Sequence, residues 1–184
     1  MSRSKNWLGH IADIQMTDFP GAKYEYKEFD VIILSAVIGK ACGGTSWEYC
    51  NEHLYRPLEI ASDPWGQSKC GVSFPSMYDV GGADLSARDM AKIGRLILHG
   101  GVWAGKQIIS EDYIRVAVTP SEMNPTYGLL WWIGNGTYHC RGFSGQEINI
   151  HPDKNIVTVL QASISPSSKS YGEICENIVK QDSK

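Results

Sequence analysis

Residues 146–162 read QEINIHPDKNIVTVLQA, and their pattern decides the architecture. From Gln146 to His151 apolar and polar residues alternate, which puts Ile148 and Ile150 on one face of a strand. Pro152-Asp153-Lys154-Asn155 is turn chemistry, combining a fixed φ with side chains that bond their own backbone. Ile156 to Ala162 is then a near-continuous apolar run. Two strands joined by a short turn make an antiparallel hairpin, and the apolar run places it at the centre of a sheet.

Working outward, Tyr127 to Ile133 is aromatic and β-branched and reads as a further strand. Ser163 to Ser170 is a polar loop. Tyr171 to Gln181 brings Ile174, Cys175 and Ile178 to helical spacing, predicting a final helix that packs on the sheet. Helices dominate upstream. Phe29 to Lys40 has apolar residues on most faces and stops before Gly43-Gly44, so it reads as a buried helix. Thr45-Ser46-Trp47-Glu48 fits a capping box and opens a helix running to about Tyr55, before Pro57. Ser86-Ala87-Arg88-Asp89 is a second box, followed by Met90, Ile93 and Ile97 on one face and ended by Gly100-Gly101. Ser110 caps a short acidic-fronted helix, Glu111 to Val118. Helices, then strands, then a helix is an α+β order.

Composition narrows the function. The chain has 184 residues, 17 Lys+Arg against 20 Asp+Glu, 42% hydrophobic and 20% charged residues. A disordered chain would be less apolar and less balanced in charge. A nucleic-acid binder working through a basic surface would need an excess of cations, which a net charge of −3 does not provide. The longest apolar run, Val31 to Val37, is interrupted by Ser35 and far too short for a membrane span. The opening MSRSKNWLGH has no apolar segment of a signal peptide. Five widely spaced cysteines, with no CxxC, fit neither a disulfide framework nor a zinc site, so they read as free and mostly buried thiols. No cofactor or metal is expected.

Three stretches carry more than structure. Pro20-Gly21-Ala22-Lys23-Tyr24-Glu25-Tyr26 is a turn with two tyrosines leading into a helix. Val80-Gly81-Gly82-Ala83-Asp84-Leu85 is a double glycine before a capped helix. Arg141-Gly142-Phe143-Ser144-Gly145-Gln146 is a glycine-rich strand entry that allows close approach of backbone or ligand. Together with GGTSWEYCNEHLYRPLEI, SARDMAKIGRLILHGGVWAGKQIIS, YGLLWWIG and INIHPDKNIVTVL, and in this order, they resemble the C-terminal half of a serine β-lactamase-like hydrolase. The branch resembled is that of esterases and 6-aminohexanoate-oligomer hydrolases, and the likeness covers about Trp7 to Lys180.

The resemblance implies a partial β-lactamase/transpeptidase-like fold, a single domain over 1–184 truncated at its N-terminus. It implies acyl transfer to small-molecule esters or amides through a serine in an S-x-x-K motif, a proton-shuttling tyrosine and a strand that donates a backbone N–H to the oxyanion. The tyrosine corresponds to Tyr26, and Glu28 stands where the family has asparagine. The strand motif falls at Cys140-Arg141-Gly142, which makes the Phe143 N–H the oxyanion donor. The one S-x-x-K, Ser2-Arg3-Ser4-Lys5, lies at the extreme N-terminus, away from the family position upstream of the tyrosine. The chain alone is therefore expected to be inactive, with the N-terminal half or a second copy as a partner. The alternative is a non-catalytic, degenerate homologue that binds a ligand or partner.

Other residues read as structural. Ser144 does not lie in a nucleophile elbow and reads as a small residue at a tight strand start. His139 and Cys140 are strand neighbours and point to opposite faces, so they cannot pair. Of Trp131 and Trp132, one is expected in the core. His53 and His99 sit near helix ends.

Overall fold

The computed structural model describes residues 4–75, 82–142, 145–162 and 172–181, in two compact units, 1–84 and 85–184. The first unit contains α1 (Trp7–Ala12), α2 (Glu28–Cys42) and α3 (Ser46–Cys50), which continues as a π-helical turn over Asn51–Tyr55. Asn6 caps α1 through its side chain, and Thr45 and Glu48 form the expected capping box of α3. The core gathers Trp7, Ile32, Val72 and Phe74. A polar junction lies beside it. The Ser35 and Ser46 hydroxyls lie 2.6 Å apart, and both donate to the Ser73 carbonyl.

The expectation of a buried helix over 29–40 is corrected here. Of α2, Ile32 and Ser35 are buried, whereas Ile33, Leu34 and Val37 are exposed. The helix is apolar all round, so packing one side within the unit leaves the rest to solvent.

The second unit contains α4 (Ala87–Leu98), a small hairpin of β1 (Val102–Trp103) and β2 (Lys106–Gln107), α5 (Glu111–Ala117), and β3 (Trp132–Ile133), β4 (Tyr138–Arg141), β5 (Glu147–His151) and β6 (Ile156–Leu160), then α6 (Gly172–Gln181). The last four strands form one antiparallel sheet in the order β3-β4-β5-β6. The hairpin of 146–162 is present, closed by a 3-10 turn and by Asn155 in the left-handed region. Its second strand borders the sheet rather than sitting at its centre.

Register fixes two faces. Tyr138, Ile150 and Val157 share a row, as do Cys140, Ile148 and Val159. These rows pack on Met90, Ile93 and Ile97 of α4 and on Ile114 of α5. The opposite face carries His139 beside Asn149 and Thr158, and Arg141 beside Glu147 and Leu160.

Two further expectations are corrected. Tyr127 to Ile133 is not one strand: Gly128 N–H donates to the Trp131 carbonyl and Leu130 has φ 64°, so the chain reverses before β3. In α6 the residues turned inward are Cys175 and Val179, at 2% and 3% exposure, while Ile174 and Ile178 face solvent. The i, i+4 pair Cys175/Val179 competes with the i, i+4 pair Ile174/Ile178, and spacing alone does not separate them. The cysteines are all free, as expected, but Cys42 and Cys70 are exposed.

The helix-to-sheet packing depends on Gly94, which is buried on α4. A Cβ there would lie 2.5 Å from Val157 Cγ1 and 2.9 Å from Ile148 Cγ2. Both neighbours are β-branched and stiff. Gly94→Ala should therefore destabilise the chain despite a gain of about 1 kcal/mol in helix propensity, because overpacking a core costs about 1–3 kcal/mol. Urea denaturation checks this: a variant as stable as the parent contradicts the contact. The open face of α2 yields a second expectation. The chain should enhance the fluorescence of a hydrophobic dye, and Leu34→Glu with Val37→Glu should reduce that signal.

Candidate functional site

Tyr26 lies in the irregular segment before α2, next to its extended N-cap residue Lys27, and it is 53% exposed. Glu28 is the first residue of α2, exposed, and with Asp30 supplies the acidic first turn that complements the helix dipole. Two lysines flank this segment, both held by carboxylates. Lys23 lies 2.7 Å from Asp18, and Lys27 lies 3.1 Å from Glu25. The Lys23 contact, with a hydrogen bond from Thr17, holds the Asp18 carboxyl below its usual range.

The strand motif lies in the second unit. Alternation along β4 sends the Cys140 side chain into the apolar core and Arg141 to the other face. Burial pushes the Cys140 thiol up to about 12, which makes it a poor nucleophile. Arg141 Nε lies 3.6 Å from the Glu147 carboxylate directly across the ladder. Gly142 N–H donates to the Gln146 carbonyl at 2.8 Å, and Gly145 N–H to the Gly142 carbonyl at 3.2 Å. Gly145 has φ 90°, a conformation that favours glycine, whereas a Cβ at Gly142 would come closest to the movable end of the Gln146 side chain, at 2.7 Å from Oε1. Phe143, Ser144, Ser2 and Gly81 lie outside the described residues. The structure places Tyr26 and Glu28 in one unit and Cys140, Arg141 and Gly142 in the other.

The structure adds a buried polar set that the sequence reading did not single out. Glu147 and Asn149 are each only 9% exposed, and Asn149 Nδ2 donates to Glu147 at 3.3 Å. Alternation in EINIH signals two faces but not that the polar one is covered. His139 joins this set, facing away from Cys140 as expected. Burial first, then the charges of Arg141 and His151, push the His139 imidazole down to about 4. Burial and Lys154 likewise lower His151, against the pull of Glu176. Of the tryptophans, Trp131 packs on the core, and Trp132 stacks edge-on with Tyr127 at 4.8 Å. Among the described residues no cluster of three or more His, Cys, Asp or Glu side chains could hold a metal, and no single helix is long and apolar enough to cross a membrane.

The helices, the antiparallel sheet and the helix packed on it form a partial transpeptidase-like α+β fold. A chain of Bacillus anthracis, provisionally named a 6-aminohexanoate-dimer hydrolase, matches it with a TM-score of 0.76 at 21% identity, over 95% of this chain and 47% of that one. The 6-aminohexanoate-dimer hydrolase of Paenarthrobacter ureafaciens is 25% identical, over 77% of this chain and 39% of that protein. A protein of Escherichia coli strain K12, provisionally named a D-alanyl-D-alanine carboxypeptidase, is 24% identical over 81% of this chain and 46% of its own length. No family model matches the sequence. These likenesses support a serine β-lactamase-like family, and the chain spans less than half the length of these curated relatives.

An imidazole held neutral in the folded state stabilises the fold above its unfolded pKa near 6.5, and the advantage is lost as pH falls toward the folded value of about 4. The second unit should therefore weaken steadily between pH 6.5 and 4. Urea midpoints across that range check it, and His139→Gln should flatten the dependence. An unchanged slope in that variant would assign the acid sensitivity elsewhere.

Proposed function

We propose that this chain supplies the tyrosine and the oxyanion strand of a serine hydrolase that cleaves esters or amides by acyl transfer. What supports this is the extent of the fold match: 95% of the chain follows a hydrolase-family structure of which it spans 47%. The nucleophile in this reading is a serine of an S-x-x-K helix. Its Oγ attacks the carbonyl carbon, its proton passes by way of the motif lysine and Tyr26 to the leaving group, and water later frees the acyl-serine. The Phe143 N–H donates to the tetrahedral oxyanion, at the turn closed by Gly142 and Gly145.

Tyr26 cannot do this alone. A tyrosine ordinarily titrates near 10 and is a poor base at neutral pH, unless a cation stabilises the phenolate. Lys23 and Lys27 are already engaged by Asp18 and Glu25, so the cation is assigned to the S-x-x-K lysine. Glu28, when ionised, only accepts hydrogen bonds where an asparagine would also donate. It disfavours substrates with a carboxylate near the scissile bond and tolerates neutral or amine-bearing ones.

The test mixes this chain with a matching N-terminal half that carries an S-x-x-K helix and follows a short-chain aryl ester and a cephalosporin. The ester should be hydrolysed faster. Tyr26→Phe should lower the rate by about 10²–10⁴-fold, the usual contribution of a general acid–base group. Full activity in that variant refutes the role of Tyr26. A labelled phosphonate should not modify the chain alone. Stoichiometric adduct at Ser2 or Ser144 would move the nucleophile into this chain. No activity in any mixture would favour a binding module.

A further inference from the structure

The polar face of the sheet in the second unit, partly roofed by α6, holds a groove of about 610 Å³. His139, Asn149 and His151 line it from the strands, with apolar surface from Trp132 and Val179. Arg141, Lys154 and Lys180 bring positive charge to it. Lys180 lies 3.6 Å from Glu176, and Arg141 lies 3.6 Å from Glu147. Lys154 Nζ donates to the Val179 carbonyl at 3.4 Å. These contacts fix the cations in place and leave the cluster with more positive than negative groups, although the whole chain is net −3.

Two polar atoms on this face have no hydrogen-bond partner among the described residues: His151 Nε2 and Thr158 Oγ1, both buried. Buried polar atoms are costly to leave unsatisfied, so a site of this kind is completed by a ligand or by water. Apolar walls and a cationic, donor-rich floor select a ligand with both characters.

We propose that this groove is a binding site for a small organic carboxylate with a flat apolar body. The carboxylate lies between Arg141 and Lys154, accepts from the imidazole N–H groups of His139 and His151, and its apolar part rests against Trp132 and Val179. This site does not depend on the hydrolase reading, because it uses no nucleophile and lies on the sheet face opposite Cys140. Binding is linked to protons. A bound anion favours the charged imidazole, so both histidines take up protons more readily when the site is filled. The other ionisable groups around it are Glu147, Cys175, Glu176 and Lys180.

The probe is benzoate, with benzamide as its uncharged counterpart, titrated into the full chain while the histidine ring resonances are followed by NMR. Benzoate should saturate, shift the His139 and His151 signals, and bind at least about threefold more tightly at pH 5.5 than at 7.5. Benzamide should bind about tenfold more weakly or not at all. Lys154→Gln, an exposed substitution, and His151→Gln should each weaken benzoate while leaving the urea midpoint at pH 7.5 in place. If His151→Gln shifts that midpoint, Lys154→Gln alone decides. Equal binding of benzamide, shifts at other histidines only, or full affinity in Lys154→Gln would overturn the proposal.

Discussion

The second unit depends on a close approach of helix to sheet at Gly94. With no Cβ at that position, α4 settles against Val157 and Ile148 at a distance that any other residue would prevent. The rest of the apolar face follows from this. Met90 and Ile97 lie on the same side of α4, and they meet the Cys140, Ile148 and Val159 row only because the helix axis comes so near. Glycine in a helix interior costs about 1 kcal/mol in propensity, and here the loss is offset by apolar area removed from water along the whole contact.

That face being fully apolar, polar residues of the strands are directed to the other. Alternation therefore explains both Cys140, sunk in the core, and Arg141, paired with Glu147. It also explains how one strand serves two purposes. Its side chains hold the sheet together, while beyond its end the Gly142 and Gly145 N–H groups are spent on the turn, bonding the Gln146 and Gly142 carbonyls.

The sequence was most legible where local chemistry decides. The capping residues Thr45, Ser86 and Ser110 all accept the expected backbone N–H groups, because a cap is satisfied within three residues of chain. The 146–162 hairpin was legible for the same reason. It failed where tertiary packing chooses between equivalent options. Ile174 and Ile178 are as apolar as Cys175 and Val179, and only the docking of α6 selects the latter. Leu130 with positive φ broke a stretch whose composition reads as strand. Tyr26, Glu28 and the glycine turn stand out in the sequence as motifs, whereas the buried polar face of Glu147 and Asn149, with His151 beside it, does not. Polar residues on a strand signal solvent until the covering element is known.

The shared carbonyl of Ser73 also bears on the order in which the first unit assembles. It accepts from Ser35 and from Ser46, which lie 38 and 27 residues earlier in the chain. During synthesis, α2 and α3 emerge and can pair through the two hydroxyls alone. The acceptor that completes the junction arrives later, together with Val72 and Phe74 of the same core. Closing a long loop carries an entropic cost that precedes the reward of its contacts, so the junction at Ser73 is a long-range closure that the local turns of α2 and α3 do not require.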